Sequence, residues 1–372
     1  MHAFNPNLTR AGRLLFACSA LVLIESEAAA EITHQIAELF SPTDPEQGFA
    51  IVISNTGTAI SLLARTQLES NQTRIVVNGG PVEVVDDFIA TDLNAGGMAV
   101  GHISNGAIAA VYSAGILQEI GTLSGGYSYA TAVNNLGQVV GLSAQVEGAF
   151  RARAFSYSDG VMRDLGTFEG DDSSYAADIN DSSEIVGYSS RGDINRAFFY
   201  RNGQMLGIGA FGPEQSSFAN AINNLGEIVG AFDFDNGRYR AFLLTDGYLR
   251  DLGVLPGFQM STALSINNHS QVIGTLTTRD DELADNYVFR QVPFIYSSGV
   301  MEDLNALIDP ESGWQLEEAT DINDLGQIIG HGLLDGRRST FVMTPIPEPA
   351  TSGLAVVAAL LLLGIRRRGL EI

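Results

Sequence analysis

The chain has no lysine, one cysteine and one tryptophan in 372 residues. The cysteine, Cys18, lies in an apolar stretch near the N-terminus. Nothing downstream of it can form a disulfide, a cysteine-ligated metal site or a thiol nucleophile. Stability has to come from packing, and a chain of this length can bury a sizeable core. With lysine absent, every basic residue is arginine, and 20 of these face 43 acids for a net charge of −23. Such a surface repels nucleic acid and anionic headgroups, so no nucleic-acid partner is expected. It tolerates neutral glycans and divalent cations. Helical periodicity is missing from the central region. No apolar run reaches the roughly 20 residues of a comfortable membrane span.

Both ends carry short apolar segments. Arg10 and Arg13 precede "LLFACSALVLI" at 14–24, and small residues follow at Ala28, Ala29 and Ala30. That order predicts a signal peptide over 1–30. At the other end come "PIPEPATSG" (345–353), the apolar run 354–365, and Arg366, Arg367 and Arg368. The arginines would hold that end on the cytoplasmic side of a membrane. Pro347, Glu348 and Pro349, a short hydrophobic helix and a basic tail together resemble the PEP-CTERM sorting signal. The resemblance implies a Gram-negative, exopolysaccharide-producing host. It also implies processing by the membrane protease exosortase, a transient inner-membrane intermediate, and delivery to the cell surface or matrix. Residues 345–372 are assigned to this signal.

Between the ends, the octet "NNLGQVVG" (134–141) returns as "NNLGEIVG" (223–230) and "NDLGQIIG" (323–330). Anchored on its first asparagine, the repeat falls at Asn94, Asn134, Asn180, Asn223, Asn267 and Asn323, with a degenerate copy at Ser54. The spacings are 40, 40, 46, 43, 44 and 56. Alanine always stands four residues before the anchor, and an aliphatic residue one before. Serine stands six before it in four units: Ser128, Ser174, Ser217 and Ser261. Each unit reads as four short strands, as in 128–134, 138–144, 152–158 and 161–167. An Asn/Gly turn joins the first pair and a type I′ dipeptide such as Asp159-Gly160 the last. Four strands every 40–46 residues predict propeller blades. Seven anchors predict seven blades, with an open β-solenoid as the alternative. The last unit lacks a fourth strand, and the segment 32–40 is an orphan strand. We therefore expect an all-β, seven-bladed β-propeller of four-stranded blades over 31–344, with the N-terminal strand completing the last blade. The repeated alanine is expected where the inner strands converge on the axis.

The triplets "RAF" (153–155, 196–198, 240–242), "DLG" (164–166, 251–253) and the "INN" turns resemble the HAF family of extracellular repeats. The first two units depart from it at Ala110-Val111 and Arg74-Ile75. The resemblance implies an extracellular address and names no activity.

Catalytic signals are weak. His102 and His331 share a repeat position, and His34 would join His331 on the closing blade, with no third ligand placed. Asp233 and Asp235 in "DFDNG" form a weak candidate calcium loop, against the simpler reading of an acidic turn. Arg153 and Asp164, and Arg240 and Asp251, are expected to pair across a hairpin. The long insertion 275–291 carries Asp280, Asp281, Glu282, Asp285 and Tyr287, and with Trp314 it is the candidate ligand loop. No cofactor is implied. The sequence therefore predicts an exported, non-enzymatic binding, adhesion or structural protein of the cell surface or exopolysaccharide. The second reading is a secreted propeller glycosidase or lyase. Acids or histidines clustered at one mouth of the central channel would separate the two.

Overall fold

A computed structural model describes residues 34–40, 49–56, 59–63, 72–76, 82–103, 107–145, 151–209, 215–235, 237–279 and 289–346. All of these belong to one of the chain's two compact units, 32–372. The signal peptide, the Pro-Glu-Pro signal with its apolar run, and Asp280, Asp281, Glu282, Asp285 and Tyr287 lie outside the described residues. Among the described residues, no helix is long and apolar enough to cross a membrane.

The fold is an all-β propeller. The described strands form seven four-stranded antiparallel sheets, six of them strictly sequential. In the third, Tyr127–Val133, Val139–Ala144, Arg153–Ser158 and Val161–Asp164 follow one another from inner to outer edge. The seventh combines the two ends. Trp314–Ile322, Ile328–Leu334 and Arg337–Pro345 supply three strands, and His34–Phe40 pairs antiparallel with the last of them.

Local chemistry explains the strand turns. In the first hairpin, Gly137 at φ 75° donates its N–H to the Asn134 carbonyl. In the outer hairpin, Asp159 and Gly160 both have positive φ, 53° and 76°. That pair defines a type I′ turn, whose twist matches the flanking strands. Asn202-Gly203, Asp246-Gly247 and Ser298-Gly299 repeat it.

A transverse row recurs in the sheets, and the buried clusters pack around it between one sheet and the next. Ala130 pairs with Gly141, which pairs with Phe155, and the same row recurs as Ala176–Gly187–Phe198 and Ala219–Gly230–Phe242. The three phenylalanines are fully buried. Each ring lies over the glycine. A Cβ on Gly230 would sit 1.9 Å from the Phe218 carbonyl and 3.0 Å from the Phe242 ring. Gly230→Ala should therefore cost about 3 kcal/mol through overpacking. Gly207→Ala, whose Cβ would meet only Phe168 at 3.9 Å, should change little. Urea unfolding of both variants checks the contrast.

The repeated alanine does not line the axis as expected. Ala176 packs with Ala132, Val140 and Ala154 of the preceding sheet, so the small residue permits close blade-to-blade approach. What faces the axis is set by a β-bulge. Every inner strand shifts register between the residues four and two before the anchor. A bulge places an extra residue on one strand and re-aims its side chains. Pairs such as Thr91-Asp92, Thr131-Ala132 and Thr320-Asp321 consequently line the lumen.

Candidate functional site

The anchor asparagines were read as turn formers, and their larger role is to join the blades. Asn180 Oδ1 accepts the amides of Ser182 and Glu184, each at 3.0 Å, which fixes the turn. Its Nδ2 donates to the carbonyl of Asn223, the next anchor, at 3.1 Å. The same link runs from Asn94 to Asn134, Asn134 to Asn180, Asn223 to Asn267 and Asn267 to Asn323, at 2.9–3.0 Å. Asn323 then donates to the Ser54 carbonyl at 3.0 Å and joins the last repeat to the first. All six asparagines are buried. The signal was present in the sequence: aspartate and serine also open type I turns, but only asparagine carries a separate carbonyl acceptor and NH2 donor that can serve the turn and the next blade together. Its use at six anchors pointed to a donor requirement.

One residue further on lies a second belt. The Asn135 amide donates to Asp181 Oδ1, Asp181 to Asn224, Asn224 to Asn268 and Asn268 to Asp324, all at 2.8 Å. Asp181 accepts side-chain amides from both Asn135 and Asn224, and Asp324 from both Asn268 and Asn55. The two belts border an axial recess of about 170 Å³.

Below them, three aspartates stand two residues before their anchors. Asp92 accepts the amides of Leu93 and, across the blade gap, Val133. Asp178 does the same with Ile179 and Ile222. Asp321 accepts from Ile322 and Ile53 and also from the Ser265 hydroxyl. These residues keep some surface toward the lumen while protein encloses their carboxyls. Enclosure raises all three pKa values: Asp92 to about 8, Asp178 to about 7 and Asp321 to about 6. Mutual repulsion adds to the shifts of Asp92 and Asp178, and the accepted amides oppose all three. Carboxyls that titrate near neutrality can serve as general acids. Here both oxygens of each are engaged by blade amides. Acids are thus clustered on the axis, below its mouth, but none was singled out from the sequence, where they are scattered among forty others.

A second concavity lies at the opposite end of the inner strands from the anchor turns. It is a cleft of about 450 Å³ between the third and fourth sheets, bordered by Arg151, Asp172, Tyr175, Tyr188, Ser190 and Asn195. Tyr175 and Tyr188 are cross-strand partners with rings stacked at 4.8 Å. Tyr188 meets Phe218 of the fifth sheet edge-on at 5.0 Å, and Phe218 meets Tyr239 at 5.7 Å. Burial, then the neighbouring Tyr175, raise the Tyr188 pKa, so its phenol is neutral.

The other sequence candidates are placed as follows. Trp314 opens the inner strand of the seventh sheet and packs edge-on against Phe341 at 5.9 Å. Asp233 accepts the amides of Asp235 and Gly237, and Asp235 faces Arg238 at 3.8 Å, which completes an acidic turn. His34 pairs with Pro345 while His331 pairs with Thr340 farther along the same strand, so the two are not brought together. His331 instead faces Glu318 at 3.4 Å. Arg240 meets Asp251 at 3.9 Å, whereas Arg153 reaches the Thr167 hydroxyl instead of Asp164. Among the described residues, no group of three or more His, Cys, Asp or Glu could hold a metal ion.

No protein-family model and no curated protein matches the chain. Solved structures do. An oligogalacturonate lyase from Vibrio parahaemolyticus is similar with a TM-score of 0.55 at 9% identity, over 85% of this chain and 98% of that one. An oligogalacturonate lyase in complex with manganese is similar with a TM-score of 0.53 at 10% identity, over 86% and 97%. At such identity the likeness is one of fold. It nonetheless overturns the expectation that this protein is not an enzyme. That expectation took a repeat scaffold without a catalytic motif as evidence against catalysis, and lyases are built on the same propeller fold with almost no shared sequence.

Proposed function

We propose that this chain is an exported, seven-bladed propeller that binds a polymer of the cell surface or extracellular matrix through the cleft between its third and fourth sheets. One contrast carries the reading. The polar groups at the axis are committed to blade-to-blade hydrogen bonds, which makes the axis a structural hub. The cleft combines aromatic rings with polar side chains that have no such commitment, the usual composition of a ligand site. Tyr175, Tyr188, Ser190 and Asn195 lie on strands, which keeps those side chains rigid.

The proposed address comes from the chain ends. A signal peptide over 1–30 directs export. The resemblance of 345–372 to a PEP-CTERM signal supports a transient inner-membrane intermediate that exosortase releases, with the HAF-like propeller delivered outside the cell. The test compares cells with and without exosortase. We expect the mature protein outside wild-type cells without its tail, and a longer, membrane-retained form in the mutant. A retained tail together with an unchanged location in the two strains would overturn the sorting assignment.

A further inference from the structure

We infer that the cleft is a binding site for a neutral, hydroxyl-rich oligosaccharide, with Tyr175 as the stacking platform. The inference rests on the reading of the cleft as the ligand site and adds its chemistry. Tyr188 is held between Tyr175 and Phe218, and Tyr239 supports Phe218 from beyond. That row fixes Tyr175 and leaves its outer face toward the cleft. A flat aromatic face suits the C–H surface of a sugar ring, and a tyrosine adds a hydroxyl at the rim. Tyr175 and Tyr188 are both half-buried, and among the described residues neither phenol oxygen has a hydrogen-bond partner.

The polar rim suits hydroxyl groups. The Asp172 amide donates to the Ser190 carbonyl at 2.8 Å, which holds the rim in place. The Ser190 hydroxyl bonds to Asn195 Oδ1, so the Asn195 amide group remains available as a donor. Arg151 and Asp172 are exposed, and among the described residues neither side chain has an ion-pair partner. Together they offer a donor fork and an acceptor pair, the complement of vicinal hydroxyls. Their charges cancel within the cleft, so it has no local preference for an ion. The chain as a whole carries −23. That field penalises a polyanionic saccharide and leaves a neutral one unaffected.

The experiment is calorimetry with the purified full propeller. The probes are neutral cello-, malto- and xylo-oligosaccharides and, as the charged counterpart, oligogalacturonides of equal length. We expect at least one neutral series to bind, and Tyr175→Ala to weaken it roughly tenfold while Tyr175→Phe retains most of the affinity. Tyr175→Phe should melt with the parent, and Tyr175→Ala, which loses the stack on Tyr188, should melt a few degrees lower yet stay folded, since the Ala176–Gly187–Phe198 row is intact. Failure of every neutral series, or binding that Tyr175→Ala leaves unchanged, overturns the inference. Tighter binding of oligogalacturonides than of any neutral series overturns the ligand class. The assay uses purified protein, so it is independent of export. A mislocalised protein that binds defeats only the sorting assignment. A correctly exported one that binds some other surface polymer in the cleft defeats this inference alone, and one that binds outside the cleft defeats the reading of the cleft as well.

Discussion

Removing residues 34–40 should leave a protein that melts more than about 10 °C lower and aggregates on size-exclusion chromatography. That segment is the outer strand of the seventh sheet and pairs from His34↔Pro345 to Phe40↔Thr340. Ile36 packs against the core cluster that holds Leu316, Ile328 and Phe341. Glu38 reaches Arg337 at 2.9 Å and bonds the buried Ser339 hydroxyl. Without the strand, Arg337–Pro345 becomes an open edge with unpaired amides and carbonyls, a template for intermolecular pairing. Loss of a paired strand removes about 5 kcal/mol or more, a large share of ordinary domain stability. For a domain of this size each kcal/mol is worth roughly 2–4 °C. Two controls isolate the cause. Glu38→Ala, which loses only a partly exposed pair and a hydroxyl bond, should cost no more than about 1 kcal/mol. The free peptide HQIAELF should partly restore the melting temperature of the truncated chain. A truncation that stays monomeric and melts with the parent would show that the seventh sheet is stable with three strands.

How much of this was readable in advance differs between the scaffold and the site. The hairpin chemistry is local. Asn134 with Gly137 and Asp159 with Gly160 define turns over a few residues, so repetition of those dipeptides gave strand number, strand order and the orphan at 32–40. The transverse rows are a consequence of register. Once Gly141 sits opposite Ala130, Phe155 must cover it, and the pattern of Ala, Gly and Phe carries that information. What could not be read was anything that depends on the bulge. An unbulged inner strand would not turn the two residues before the aliphatic position jointly toward the lumen. Asp92, Asp178 and Asp321 therefore carried no signal of their own in the sequence, and the alanine was assigned to the axis in their place. The cleft was equally hidden. Tyr175 and Tyr188 lie in one unit and Phe218 and Tyr239 in the next, and only the packing of the two sheets assembles them beside one another.

Replacing Asp92 with asparagine should make the stability-versus-pH curve of the variant cross that of the parent. The native carboxyls titrate at about 8, 7 and 6 for Asp92, Asp178 and Asp321, all above the ordinary aspartate value of 3.8. The native state therefore holds protons that the unfolded chain has already released. Stability contributed this way is fully present at pH values near or below 3.8 and is lost as pH rises toward the native values. The window runs from about pH 4 to pH 8, with the parent more stable at pH 5 than at pH 8. A fully enclosed proton would give a slope near 1.4 kcal/mol per pH unit. The lumen that Asp92 borders screens its charge, which narrows the pH window and not the slope within it. Among the described residues that line the lumen at this level, Asp92, Asp178 and Asp321 are the only titratable groups. At the mouth above them stand Asp181 and Asp324, which the variant leaves in place. Asparagine cannot titrate, and it has one acceptor oxygen where Asp92 uses two, so it can keep only one of the Leu93 and Val133 N–H bonds. The variant should be less stable than the parent at pH 5 by roughly 1–2 kcal/mol for the lost acceptor. At pH 8 it should equal or exceed the parent, because it no longer places a third negative charge on the axis. Urea unfolding at pH 5, 6, 7 and 8 reads both effects. Parallel curves, with the same offset at every pH, would mean that Asp92 is ionised throughout.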